Sequence, residues 1–93
     1  MRYILDAIAS FLPFRRRKLT KREVEGNVFM ECYWPGIRYL ARRELLVNHN
    51  SLGRFDAILA RAMSGARTAL DAGHDAPLAA DIARTIVMME TSP

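Results

Sequence analysis

Apolar side chains recur at spacings of three and four along most of this chain, and no stretch keeps a period of two. That spacing leaves little room for anything but helices. The clearest case is Leu52, Phe55, Leu59, Ala62, Ala66 and Ala69, a seam down one face of a single helix. Gly73 follows it as a helix terminator, because glycine takes the left-handed conformation that a C-terminal cap needs. The face carrying Gly53, Ala57, Ala60 and Ser64 is unusually small, and is expected to let a second helix approach closely.

Three further segments share the helical pattern. Residues 2–12 place Ile4, Ile8 and Leu12 on one face, flanked by Leu5 and Phe11, with Asp6 and Ser10 opposite. Pro13 ends that amphipathic segment, since it disfavours helix in the residue before it. Thr20, three residues before Glu23, reads as a capping box that starts the next helix. Its stripe is expected to be Val24, Val28, Phe29 and Cys32, continuing through Ile37, Leu40, Ala41 and Leu45. Pro35-Gly36 interrupts it, so the helix either breaks into two or kinks there.

Asn50 or Ser51 is placed as the N-cap of the Leu52 helix. The last helix runs from Pro77 to about Thr91 and is expected to bury Leu78, Ile82, Ile86 and Met89. The expected fold is therefore all-α, a compact bundle of four or five short helices in one domain over residues 1–93. Residues 1–13 form its N-terminal helix, 14–19 a basic connector and 20–93 the helical core. A length of 93 residues holds about one domain, and 51% hydrophobic residues is too many for a disordered tail.

Charge is divided unevenly. Residues 1–43 carry ten of the fourteen Lys and Arg but four of the ten acids, a net +6, whereas residues 44–93 are net −2. The excess falls in two clusters. One is Arg15, Arg16, Arg17, Lys18, Lys21 and Arg22, and the other is Arg38, Arg42 and Arg43. Tyr33, Trp34 and Tyr39 are interleaved with the second. Arginine grips phosphate through a planar fork of donors, and rings stack on bases, so this composition suits nucleic-acid backbones. The competing assignments are a solvated basic face for the charges and core anchoring for the three rings.

Catalysis has little material. Cys32 is expected to pack as a small hydrophobe within its helix, and a single cysteine allows no internal disulfide. His49 and His74 fall in loops, where solvated side chains are the rule. No spacing of Cys, His or carboxylates forms a zinc motif, and the five glycines are too scattered to cradle phosphate. Neither a metal nor a cofactor is implied. The longest charge-free run, Leu45 to Gly53, is too short to span a membrane. Residues 2–12 carry Asp6 inside their apolar stretch and their heavy charge follows it instead of preceding it, unlike a secretory signal, so the expected location is cytoplasmic.

The reading is thus a non-enzymatic helical binding protein. Its anion-binding candidates are Arg15, Arg16, Arg17, Lys18, Arg22, Arg38, Arg42 and Arg43. The partner is nucleic acid or a nucleotide first, and an acidic protein surface second. An alternative is a protein-binding regulator or inhibitor working through apolar helix faces as a homo-oligomer, with the charge incidental. The over-wide run Ile86-Val87-Met88-Met89 supports that alternative. A third template lays residues 2–12 and their basic follow-up on an anionic membrane surface.

Overall fold

The computed structural model of the protein describes residues 18–93. The expected helix over residues 2–12 and the candidates Arg15, Arg16 and Arg17 lie outside them. All regular structure among the described residues is helical. It amounts to three helices rather than the four or five expected.

One expected helix lies outside the described residues, and at Pro35 the helix does not break. The first helix, α1, comprises α-helical Lys21–Val28, a π-helical stretch Phe29–Tyr33, and α-helical Trp34–Asn48. Its backbone stays in the right-handed helical region at both junctions, with φ/ψ of −57°/−51° at Phe29 and −59°/−42° at Trp34. Within an ordinary α-helix the ring of Pro35 would clash with the carbonyl four residues back, and that carbonyl would lose its donor. Here the Trp34 N–H reaches back five residues to the Phe29 carbonyl. This wider turn lies just ahead of the proline, and the helix passes through it.

The start of α1 is as the sequence predicts. Thr20 Oγ1 accepts from the Glu23 N–H at 3.2 Å, and Glu23 Oε1 accepts from the Thr20 N–H at 3.3 Å. The buried face agrees in part. Val24, Val28 and Cys32 are exposed, while Phe29, Ile37, Ala41 and Leu45 are buried and Tyr33 and Trp34 pack against them. The inward line falls at Phe29, Tyr33, Ile37, Ala41 and Leu45, every four residues. A regular helix carries such a line about 40° further round at each step, and the π stretch absorbs part of that drift. The expected stripe therefore holds at Phe29, Ile37, Leu40, Ala41 and Leu45 and fails at Val24, Val28 and Cys32. The Phe29 and Trp34 rings meet with centroids 5.9 Å apart, so Trp34 does serve as a core anchor.

Helices α2 (Phe55–Asp71) and α3 (Ala76–Glu90) form the tightest pair. Ile58, Ala62, Ala66, Ala69 and Leu70 from α2 meet Ala76, Ala79, Ala80, Ala83 and Val87 from α3, all buried. The expected α2 seam is partly right. Ala62, Ala66 and Ala69 are buried and Phe55 and Leu59 half-buried, but Leu52 lies before the helix and is exposed. Gly53, Ala57, Ala60 and Ser64 are exposed too, so the small face receives no helix among the described residues. Close approach happens one face over. A Cβ added at Gly65 would overlap Ile86 Cδ1 and stand 3.2 Å from Ile82 Cγ2.

The same closeness explains α3. With alanines filling the interface, Leu78 and Met89 are displaced to solvent and Ile82 and Ile86 sit at the margin. The connections follow turn chemistry. Gly73 takes φ +93°, and the His74 N–H reaches the Ala69 carbonyl at 3.0 Å to close α2. Asp75 caps α3 by accepting from the Leu78 N–H at 3.1 Å. Asn50 is left-handed at φ +52°. Neither it nor Ser51 caps α2, whose N-cap is Arg54 with no side-chain bond.

Polar contacts fasten α1 to this pair at both ends. At its start, Lys21 Nζ donates to the Gly73 carbonyl at 2.9 Å, and Glu25 Oε1 accepts from the Ala76 N–H at 2.7 Å. No residue of Lys21–Val28 is buried, so these bonds do what apolar packing does elsewhere. At its end, Asn48 Nδ2 and His49 Nε2 both donate to the Thr91 carbonyl, at 3.0 and 3.1 Å. His49 is thus a tether between helix ends rather than an idle loop residue. Buried Thr91 satisfies its own hydroxyl on the Val87 carbonyl at 2.6 Å.

Candidate anion-binding surface

Burying Ile37, Ala41 and Leu45 dictates where the second basic cluster points. Residues three to four apart share a helix face, so Arg38 and Arg42 fall together on one flank of Trp34–Asn48. Tyr39, Arg43 and Val47 form the adjoining row, and all five side chains are exposed. Tyr39 keeps 68% of its surface accessible, so it is no core anchor. Beside this flank runs a shallow cleft between α1 and the residues leading into α2. Pro35, Arg38, Tyr39 and Arg42 line one side, and Leu52 and Phe55 the other.

Most of the other arginines are matched to acids, whereas Arg67 on α2 is exposed and unmatched among the described residues. Arg22 pairs with Asp71 at 2.6 Å, Arg54 and Arg61 converge on Glu90 at 3.0 and 2.6 Å, and Arg84 pairs with Asp81 at 2.5 Å. Three of these four pairs join residues far apart in sequence, and so take their acids from other helices. Arg38, Arg42 and Arg43 have no carboxylate partner among the described residues. The neighbouring acid, Glu44, accepts from Asn48 Nδ2 at 3.1 Å instead. Like charges four apart on a helix repel by about 0.2–0.5 kcal/mol, so Arg38 and Arg42 hold a small unfavourable term that an anion would relieve.

The structure does not unite the two clusters. Arg22 is engaged by Asp71 and Lys21 by a backbone carbonyl. Sixteen residues of helix separate Arg22 from Arg38, which at 1.5 Å per residue is about 24 Å. Lys18 is exposed beyond the start of α1, at the far end from the cleft. Leu52 and Phe55 were assigned by spacing to the α2 seam, which hid their part in the cleft; a turn residue ahead of a helix carries no signal for its neighbour across the chain.

Other chemistry-bearing residues are dispersed. Cys32, expected in the core, is exposed, because the inward face passes it by. His74 lies exposed in the α2–α3 turn. Among the described residues no three of His, Cys, Asp and Glu converge to hold a metal ion. None of the described helices is long and apolar enough to cross a membrane. No family model matches the chain, and neither a curated protein nor a solved structure is found to be similar to it.

Proposed function

We propose that this chain is a small helical binding protein, acting without catalysis, whose α1 docks on an anionic partner. Nucleic acid is the first candidate and an acidic-residue protein surface the second. One observation carries the reading. Among the described residues Arg38, Arg42 and Arg43 lie together on one exposed surface without a carboxylate, while Arg22, Arg54, Arg61 and Arg84 are each matched to an acid and Arg67, the other unmatched arginine, stands on α2. A cluster kept free of carboxylates beside an exposed ring suits an external anion better than it suits stability. Arg15, Arg16, Arg17 and Lys18 are proposed as an auxiliary basic arm. Arg22, tied to Asp71, contributes less than the sequence suggests. The cytoplasm is the compartment that fits, since it holds such partners and keeps a lone thiol such as Cys32 reduced.

Fluorescence anisotropy with a labelled oligonucleotide across a salt series tests this. Counterion release makes log affinity fall linearly with log salt, by about 0.7–0.9 per phosphate neutralised. Reversing all three residues (R38E, R42E, R43E) is expected to lower affinity by at least about 100-fold with no change in melting temperature. Binding that ignores salt, or survives the triple reversal, would sink the proposal.

A second reading rests on a different observation. Val47 and Met89 are 71% and 73% exposed, and Met88 45%. Apolar exposure of this size suits a regulator that associates through helix faces, as a homo-oligomer or with another protein. Solution mass measured across micromolar concentrations tests it: a monomer throughout removes the homo-oligomer.

A further inference from the structure

We infer that the polymer this surface takes is a single-stranded polynucleotide, with an unpaired base stacked on Tyr39 and its flanking phosphates on Arg38 and Arg42. The inference rests on the anion-docking reading and narrows it.

The first argument is shape. Arg38 and Arg42 do not stand on a free ridge of α1. They line a cleft whose other wall is Leu52 and Phe55. A concave surface of this kind can hold a strand lying along it. A duplex accepts a convex element into its major groove, which is the opposite relation.

The second argument is the mixture of surfaces. Pro35, Leu52 and Phe55 give the cleft apolar walls, and Tyr39 presents an exposed ring among the guanidinium groups. Paired bases are already stacked on one another and would leave those surfaces uncovered. An unpaired base covers them, since every base has a π-face and stacking on an aromatic ring is tolerant of sequence. Arginine adds to this by stacking as well as by gripping phosphate.

The third argument separates a polymer from a free nucleotide. Pockets for small ligands bury most of the ligand's surface. Here five of the six lining residues are exposed and Phe55 is half-buried, so the cleft is too shallow to enclose one. A strand does not need enclosure, because its remaining phosphates reach further cations. Arg43, on the adjoining row of α1, is positioned for the next one. Arg38 and Arg42 are separated by about 6 Å along the helix axis, a spacing that serves successive backbone positions rather than one phosphate group.

Anisotropy of the full-length protein with a mixed-sequence single strand, with the same strand annealed to its complement, and with the mononucleotide tests the inference. The single strand is expected to bind at least about tenfold tighter than the duplex at equal salt. Tyr39→Ala is expected to weaken single-strand binding by about tenfold and leave duplex binding unchanged. Tyr39→Phe should stay within about twofold of wild type, because the ring stacks and the hydroxyl does not. Melting temperatures of both variants verify folding, which the exposure of Tyr39 favours. Duplex bound as tightly as single strand would overturn the inference while leaving anion docking intact, as would a silent Tyr39→Ala or a mononucleotide that matches the strand. No salt-sensitive binding to any nucleic acid, with capture of a polyglutamate peptide, would overturn this inference and the nucleic-acid candidate together.

Discussion

The α2–α3 pair and the outer side of α1 handle the same residue types in opposite ways. Between α2 and α3 the interface is mostly alanine with Ile58, Leu70 and Val87, and Arg54, Arg61 and Arg84 at its margin are neutralised by Glu90 and Asp81, Arg67 alone being left without an acid among the described residues. Along α1 four side chains are buried out of twenty-eight positions, and the arginines of Trp34–Asn48 face solvent without acids. One region spends its residues on close packing and charge matching. The other keeps a basic, aromatic surface that stability does not use. Where a protein leaves charge unmatched beside charge it has matched, the unmatched set is the better place to look for a partner.

The sharpest way to break this contrast is at Gly65. Gly65→Val puts a branched side chain where Ile82 and Ile86 already stand, and overpacking of this kind costs about 2 kcal/mol. The expected fall in melting temperature is about 10 °C. Nucleic-acid affinity of the folded variant should not change. An unmoved melt would mean that the α2–α3 approach is softer than the packing implies.

The next effect lies at the join of the two regions. Glu25→Ala removes the carboxylate that accepts from the Ala76 N–H at 2.7 Å, at the positive end of α3. The expected loss is about 1.5 kcal/mol. Amide exchange should rise first in Lys21–Val28, which has no buried side chain to hold it. Uniform loss of protection across all three helices would show that this arm does not open by itself.

The smallest effects carry the contrast most directly. Arg61→Ala breaks one arm of the Glu90 pair, which is worth about 0.5 kcal/mol at its exposure, and should leave the salt dependence of binding alone. Arg38→Ala should leave stability within about 0.5 kcal/mol and lower the salt slope by about 0.7. Chemical melts and anisotropy on both variants read the two quantities side by side. The opposite pattern would reverse the assignment of matched and unmatched cations.

Much of this was legible along the chain. The three-and-four spacing gave the all-α class, Thr20 and Glu23 gave the start of α1, and Gly73 gave the end of α2. The division of charge located Arg38, Arg42 and Arg43. Face assignments failed where spacing alone could not settle phase. In α1 the inward line keeps the expected Phe29 but runs through Tyr33 and passes by Val28 and Cys32 across the π stretch. In α3 hydropathy favours Leu78 and Met89, yet most of the close α2–α3 approach has room for little more than alanine. Larger side chains are excluded by volume, whatever they would gain from burial.

Charge pairing shows the same boundary. Arg22, Arg54, Arg61 and Arg38 are the same residue type in similarly helical stretches. Their partners, or lack of them, depend on which acids other helices bring within reach: Asp71 for Arg22, Glu90 for Arg54 and Arg61. Periodicity and caps are set by interactions within a few residues, so the sequence by itself determined the helices and the end of the chain where positive charge accumulates. Helix phase, the alanine interface, and the separation of matched from unmatched arginines arise from contacts between distant segments. Only the tertiary structure decided those, because excluded volume and ion pairing act between side chains that no local spacing relates.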